Sequence, residues 1–213
     1  MPNKRILYYF IFIPIFFSCS NVNINNEKIK IFFEKPLTLA QEQKLVLALS
    51  ENFSNKNLFA LLNNQNWIES FLIKKSLFQQ TEIFIASKEP KYIWQEKFYL
   101  DSNLTRFLYS GEYPDLLHLD IPIELVDKWL QFENELFSLL KLYNLTIFSV
   151  SYSKAEGWYF HTKNNIRINL GSELTSNAYK KLSLTLKYIF EKNLTPSIID
   201  LRYKDGAALN YGT

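Results

Sequence analysis

The sequence predicts an α+β fold for most of the chain, with a mostly antiparallel sheet and helices packed against it. Short runs such as Ile29–Phe33 and Ile166–Leu170 alternate along the chain and are rich in β-branched and aromatic residues, which is typical of half-buried strands. The run from Leu125 to Tyr143 instead repeats apolar residues every three or four positions, which predicts a helix. Of the 213 residues, 47% are apolar and 21% are charged, a balance that indicates a folded core rather than disorder.

Charge and cysteine content argue against several functional classes. The net charge is only +3, and no run of lysine and arginine is longer than two, whereas nucleic-acid-binding domains usually present a basic face. Cys19 is the single cysteine, and His118 and His161 lie in no metal-ligating motif. Asp200 and Asp205 could be considered as an acid–base pair, but no motif supplies a nucleophile with its base. We therefore expect no enzyme activity, cofactor, metal, nucleic acid or small-molecule substrate.

The first 20 residues combine a basic start with an apolar run. Lys4 and Arg5 precede an uncharged segment, ILYYFIFIPIFF, from Ile6 to Phe17. Three interpretations stay open: an uncleaved signal anchor, a lipoprotein signal ending at Cys19, and a cleaved signal peptide. All three predict export, and we favour the anchor, with residues 6–18 in the membrane. The polar residues 21–28 then form a linker.

Residues 29–93 are predicted to form a first folded unit with the element order β-α-α-β-β. Thr38 followed three residues later by Gln41 fits a capping box at the start of a helix. Leu45, Leu49 and Phe53 then share one apolar helix face. The other expected elements are a strand at 29–33, a short helix at 58–62 and strands at 67–74 and 82–87.

Residues 94–213 are predicted to form a second unit that contains two helices. Asp120 and Pro122 are expected to open the first of them, and Asn144 to end it, because Asp caps helices and Pro is tolerated in the first turn. Lys163–Asn165 is expected to join two strands as a hairpin, since Asn tolerates positive φ. The predicted strands lie at 94–100, 106–109, 146–153, 158–162, 166–170, 198–203 and 207–211, and the second helix lies at 174–192.

Several motifs resemble the FtsQ (DivIB) family of cell-division proteins. The run from Ile199 to Ala208, IDLRYKDGAA, resembles the family's closing signature, which is V-D-L/M-R-Y, a polar pair, a glycine and a small apolar strand. The run from Ile166 to Gly171, IRINLG, resembles the family's strand that ends in L-G before its last helix. Weaker similarities are Glu89-Pro90 with Trp94, at the end of the family's POTRA domain, and Trp67 with Ile73-Lys74-Lys75.

The chain departs from the family pattern at four places. Asn66 stands where a proline usually precedes the tryptophan, Ser172 where an arginine usually follows L-G, and Tyr211 where a tryptophan is usual near the end. The family's glycine in the first strand region is absent. Of these departures, Ser172 and Tyr211 are the two that bear on the expected contacts.

The resemblance implies a POTRA-like domain at 29–93 and a β domain at 94–213 whose last strand binds partners. It implies a non-catalytic scaffold of the divisome, single-pass in the inner membrane, exposed to the periplasm, located at the division site and bound to FtsB- and FtsL-like proteins. A last strand can occupy a sheet edge and accept a partner strand. The residues expected to make this contact are Arg202, Tyr203, Gly206, Ala207, Ala208 and Tyr211.

Two alternatives stay open at this point. Tyr203 alternates with Leu201 and could simply belong to the core, and Gly206 could be an ordinary turn glycine. The protein could also be a POTRA-containing envelope lipoprotein with another assembly role, anchored through Cys19. We take Tyr203 as the anchor of the interface, because Tyr and Arg are enriched at interface hot spots.

Overall fold

The computed structural model describes residues 20–22, 29–35, 40–51, 57–75, 81–204 and 206–212. It divides into two compact units, Met1–Ser87 and Lys88–Thr213. The predictions for the apolar run at 6–17 and for Cys19, Thr38, Phe53 and Asp205 fall outside the described residues. Within them, no helix combines the length and the apolar character that crossing a bilayer requires.

The first unit contains the predicted β-α-α-β-β order, preceded by one short strand. Its elements are β1 (Ser20–Val22), β2 (Ile29–Phe33), α1 (Ala40–Glu51), α2 (Leu58–Asn63), β3 (Ile68–Lys75) and β4 (Thr81–Ser87). The sheet order is β1-β2-β4-β3, with β2 parallel and β3 antiparallel to β4. Alternation along β2 buries Ile29, Ile31 and Phe33 on one face. Phe32 lies on the opposite face, where it stacks on Phe84 with ring centroids 4.8 Å apart.

The second unit is built on one sheet of nine strands. Its strands are β5 (Tyr92–Trp94), β6 (Phe98–Leu100), β7 (Arg106–Leu108), β8 (Leu117–Asp120), β9 (Ile147–Ser153), β10 (Gly157–Thr162), β11 (Arg167–Gly171), β12 (Ile198–Asp200) and β13 (Ala208–Asn210), and its helices are α3 (Val126–Lys141) and α4 (Ser176–Glu191). The order is β13-β12-β11-β10-β9-β8-β5-β6-β7. The pairs β5–β8, β8–β9 and β11–β12 are parallel and the other five are antiparallel, so the sheet is mostly antiparallel, as predicted.

The core of the second unit lies between the sheet and its two long helices. Trp129 and Leu136 from α3 and Leu182 and Leu186 from α4 have no exposed surface. They belong to one cluster with inward-facing strand residues, among them Val150, Phe160, Ile168 and Ile199. The apolar residues recur every three or four positions in both helices, so each helix buries one continuous face.

The region between Trp94 and Leu100 corrects the sequence prediction. One strand was expected there, but Gln95 and Glu96 adopt left-handed backbone angles, with φ of 52° and 54°. The N–H of Lys97 donates to the carbonyl of Trp94 at 3.2 Å, which closes a tight hairpin turn. β5 and β6 are therefore two strands, and β5 pairs within the second sheet, in the compact unit that begins at Lys88.

The start of α3 also differs from the prediction. Asp120 does not cap a helix; it is the last residue of β8, a strand that the sequence analysis missed. Pro122 instead precedes a 3₁₀ turn, Ile123–Leu125, and α3 begins at Val126 without a side-chain cap. Asn144 follows the end of α3 with φ of 54°, which agrees with its predicted role as a helix terminator.

Candidate functional site

The last strand forms one edge of the nine-stranded sheet. β13 pairs antiparallel with β12, with Leu209 opposite Ile199 and Ala208 opposite Asp200. Among the described residues, β12 is the only strand neighbour of β13. An edge strand leaves a row of backbone N–H and C=O groups unpaired, and these groups can bind another extended chain.

Alternation along β13 separates a core side from a solvent side. Leu209 and Ala207 are half-buried and pack against the core cluster. Ala208 and Asn210 are exposed. Of the two alanines predicted to contact a partner, Ala208 is therefore available through its side chain, whereas Ala207 is turned towards the core.

Asp200 and Arg202 fix the turn that follows β12. Arg202 donates from Nε to Asp200 Oδ1 at 2.9 Å and from Nη2 to Oδ2 at 2.6 Å. The backbone N–H of Arg202 also donates to Oδ1, at 3.0 Å. The hydrogen bond from the Arg202 side chain is the main reason that the pKa of Asp200 lies below its usual value, although partial burial opposes the shift. Strand pairing ends at Asp200, and these hydrogen bonds hold the next residues in a turn. β12 is therefore shorter than the predicted strand at 198–203.

A polar network continues from this turn across the sheet. Asn169 contributes to lowering the pKa of Asp200, and its Oδ1 accepts from Arg167 Nε at 2.9 Å. Arg167 Nη2 donates to Glu156 Oε1 at 2.6 Å, and its guanidinium lies 4.2 Å from the centre of the Tyr159 ring. The turn at Arg202 is thus supported by side chains from β10 and β11.

Tyr203 lies at the surface beside this turn. Lys181 from α4 donates to the carbonyls of Leu201, at 3.1 Å, and Tyr203. These bonds hold the backbone while the Tyr203 side chain stays 59% exposed. The alternative that Tyr203 is a core residue is therefore wrong, and the inward-facing residue of this pair is Leu201.

The residues around β13 complete the edge. Gly206 is exposed with φ of 146°, and a Cβ there would meet no atom within 4 Å. Tyr211, beyond the other end of β13, is 54% exposed. Ser197 Oγ donates to the carbonyls of Asn210 and Gly212 at 3.2 and 2.8 Å. Ser197 and Lys181 both stabilise this region, and the sequence analysis missed both because their contacts are distant along the chain.

A cleft of about 430 Å³ lies next to the turn. Lys154, Lys181 and Arg202 contribute positive charge to its lining, and Glu156 and Glu173 contribute negative charge. Ser172 also lines this cleft. The described residues contain no group of three or more His, Cys, Asp or Glu that could hold a metal ion.

Comparison with known proteins agrees with the motif resemblance. No protein-family model matches the chain. The chain is 27% identical over 150 residues to a Vibrio cholerae protein named cell division protein FtsQ, across 68% of this chain and 56% of that protein. The chain thus matches little more than half of that relative's length. The resemblance to FtsQ that the motifs indicated is confirmed, at the level of a distant relative.

Proposed function

We propose, from this relationship to FtsQ, that the protein is a non-catalytic scaffold of the bacterial division machinery. It binds FtsB- and FtsL-type partners during septum formation, and the contact is made along the outer edge of β13. The observation that carries the proposal is the position of β13 at the sheet edge, with the exposed tyrosines 203 and 211 on either side of it along the chain.

Strand addition is the binding mode that this surface favours. A partner segment that pairs with β13 gains backbone hydrogen bonds, which supply affinity without a defined sequence. The exposed Ala208 is small and lets a partner chain approach closely. Tyr203 and Tyr211 supply large exposed rings, and such residues dominate binding energy when a partner covers them.

The order of the turn before β13 supports tight binding. The Asp200 carboxylate accepts from the backbone N–H and from Nε of Arg202. Lys181 Nζ donates to the carbonyl of Leu201, so the backbone of the turn is already held before a partner binds. A surface that is ordered before binding loses less conformational entropy when the partner arrives. Arg202 additionally presents a guanidinium that is 42% exposed and can contact an acidic side chain of the partner.

The rest of the chain fits the same proposal. The first unit, with its β-α-α-β-β order, serves as a POTRA-like domain for recruitment, as the resemblance implies for residues 29–93. Residues 6–18 anchor the protein in the inner membrane as a single span, and the two folded units lie in the periplasm at the division site. In this proposal Asp200 has a structural role, as the carboxylate that pairs with Arg202.

Photo-crosslinking in cells tests the proposal. A photo-reactive amino acid replaces Tyr203, and the captured protein is identified by mass spectrometry. The matched control replaces Tyr188, which is 53% exposed on α4. Capture of an FtsB-like coiled-coil protein at position 203 but not at 188 is expected. Normal export with no capture at 203, or equal capture at both positions, would contradict the interface.

A further inference from the structure

The sheet of the first unit has one face that its helices cover. Ser87 of β4 donates to Glu42 of α1. Phe71 of β3 meets Phe59 of α2 edge-to-face, with ring centroids 5.3 Å apart. The strand register puts Phe71 opposite Ile85, two residues before Ser87, so α1 and α2 contact the same face of the sheet. Alternate side chains of the strands point to the opposite face, which we call the open face.

The open face carries an apolar row that crosses three strands. Phe32 stands opposite Phe84, and Phe84 stands opposite Leu72. The two phenylalanine rings stack with centroids 4.8 Å apart and are partly exposed, and Leu72 is 62% exposed. Because neighbouring strands lie about 4.8 Å apart, the row extends about 10 Å across the sheet. Adjoining exposed apolar side chains of this kind mark a surface that meets a protein or a membrane.

The path of the chain brings the apolar row close to the proposed membrane anchor. β1 begins at Ser20, and its second residue, Asn21, pairs with Phe32. The apolar run of the anchor ends at Phe17, so three Cα–Cα steps, which span at most about 11 Å, separate that run from Ser20. The headgroup region beside the hydrocarbon core is about 5–8 Å thick. This end of the sheet is therefore tethered at the bilayer surface, which makes lipid the nearest apolar partner for the row.

The charges beside the apolar row balance. The next row on the open face consists of Lys30, Glu82 and Lys74, and Lys74 Nζ lies 4.0 Å from Glu82 Oε2. Glu34, just beyond the end of β2, lines a hollow of about 460 Å³ beside Phe32 and Leu72. Two lysines and two glutamates leave no net charge around the row. Attraction to anionic lipid therefore contributes little, and burial of apolar surface is the main favourable contribution to a membrane contact.

We propose that the open face of this sheet lies against the lipid bilayer, with Phe32, Phe84 and Leu72 inserted among the lipid headgroups. Apolar faces that lie in the membrane surface are buried to a depth of about 5–10 Å, which the short tether at Ser20 allows. The contact would hold the first unit in one orientation on the membrane instead of letting it rotate about its tether. The proposal rests on the proposed membrane anchor at residues 6–18 and is independent of partner binding at β13.

Fluorescence quenching by lipid tests the contact in the full-length chain. Chains that carry Cys19→Ser and Leu72→Cys are labelled with an environment-sensitive dye and reconstituted into phosphatidylcholine vesicles whose headgroups carry nitroxides. Leu47→Cys is the matched control, because Leu47 is 59% exposed but lies on α1, at the covered face. The dye at position 72 is expected to lose about half of its emission or more, because insertion brings it among the nitroxides, and the control should lose about a tenth or less.

Two phenylalanine variants test whether the apolar row makes the contact. Phe32→Ser removes one ring of the row and should reduce the quenching at position 72 several-fold. Phe59→Ser is the control, because Phe59 is 61% exposed but belongs to α2, and it should leave the quenching unchanged. Far-UV circular dichroism establishes that both variants remain folded. High salt should also leave the quenching unchanged, since the charges around the row balance.

Flotation of the vesicles after an alkaline wash reports on the anchor separately from the face. Chains that float but show equal quenching at positions 72 and 47 would overturn the face contact and leave the anchor intact. Chains that do not float would overturn both. A dye at position 72 whose emission shifts to the blue without quenching would mean that protein, such as residues 6–17 folded back, covers the row in place of lipid. Quenching that disappears in high salt, or that falls equally in Phe32→Ser and Phe59→Ser, would also overturn the insertion of the row.

Discussion

Asp200 and Arg202 stand two residues apart and are joined by a two-point hydrogen bond, with Arg202 Nη2 2.6 Å from Asp200 Oδ2 and Nε 2.9 Å from Oδ1. Asp200 also accepts the backbone N–H of Arg202. One carboxylate therefore fixes both the side chain and the main chain of the turn that presents Tyr203. The turn beside the proposed binding edge is held in one conformation only while this carboxylate is ionised.

Stability should depend on pH through Asp200. The pKa of this carboxyl is lower in the folded protein than in the unfolded chain. The contribution of Asp200 to the free energy of unfolding is therefore complete above the ordinary Asp pKa of about 4. It is lost as the pH falls through the lower pKa that Asp200 has in the folded protein. At pH 7, Asp200→Asn should reduce the free energy of unfolding of the second unit by about 1 kcal/mol, because Arg202 is partly exposed. Urea unfolding at pH 7 and at about pH 3 measures the difference, which should shrink at the lower pH.

Asp115→Asn is the matched control for that measurement. Asp115 accepts from Lys163 at 3.1 Å, but its side chain is 92% exposed, so its replacement should change stability much less. Equal losses in the two variants, or a loss at Asp200 that does not diminish in acid, would contradict the role assigned to the Asp200 carboxylate.

Tyr203→Ala should separate binding from folding. The ring is exposed, so the free energy of unfolding should change by no more than about 0.5 kcal/mol. Affinity for an FtsB-type partner from the same bacterium should fall at least about thirtyfold, the effect of a hot-spot tyrosine worth about 2 kcal/mol. Tyr188→Ala on α4 is the control and should leave the affinity unchanged. Isothermal titration measures both, and an unchanged affinity in Tyr203→Ala would remove Tyr203 from the interface.

Gly157→Ala should destabilise the second unit strongly. Gly157 has φ of 74°, and a Cβ there would overlap the carbonyl oxygen of Gly171 on the neighbouring strand. We expect the free energy of unfolding to fall by roughly 3 kcal/mol or more, because neither backbone can move without breaking hydrogen bonds between β10 and β11. Gly111 also has a positive φ, of 88°, but a Cβ there would meet no atom within 4 Å. Gly111→Ala should therefore lower the free energy of unfolding by only about 1 kcal/mol. Thermal unfolding of the pair tests whether close backbone approach, rather than backbone angle alone, requires Gly157.

Two buried tryptophans offer a matched test of hydrogen bonding. Trp94 Nε1 donates to the carbonyl of Ile121 at 2.8 Å, whereas Trp129 Nε1, equally buried, has no hydrogen-bond partner among the described residues. Both Trp→Phe variants lose the same volume, but only Trp94→Phe breaks a bond and leaves a carbonyl unpaired. Trp94→Phe should therefore destabilise the protein by about 1 kcal/mol more than Trp129→Phe. Chemical denaturation compares the two, and equal losses would mean that this hydrogen bond contributes nothing measurable.

The elements with strong local signals were predictable from sequence. The hairpin at Lys163–Asn165 was expected because Asn tolerates positive φ, and Asn165 has φ of 58°. Helix α4 was expected at 174–192, within a few residues of its observed ends. The turn at Gln95 and Glu96 was not expected, because neither residue is a usual turn former, and pairing between β5 and β6 imposes the conformation. Leu117–Asp120 was missed because a four-residue strand held between two parallel neighbours has little periodicity of its own.

The candidate site was only partly predictable. The sequence analysis expected that β13 could occupy an edge, and the structure places it at one; it also left the burial of Tyr203 open, and the structure shows that Tyr203 is exposed. The contributions of Lys181, Asn169 and Ser197 were not predictable, because each acts on a backbone or carboxylate that lies far away in sequence. Such contacts arise only after folding has brought these side chains close to the turn or to the end of β13.

The strand proposed to bind is also the last of its sheet to leave the ribosome. β12 joins β11 only after the whole of α4 has been made, and β13 can pair only with β12. The edge therefore does not exist while the chain is being made and β13 is still missing, whatever the state of the earlier strands. A partner that recognises this edge would therefore bind only after β13 has been made and has paired with β12.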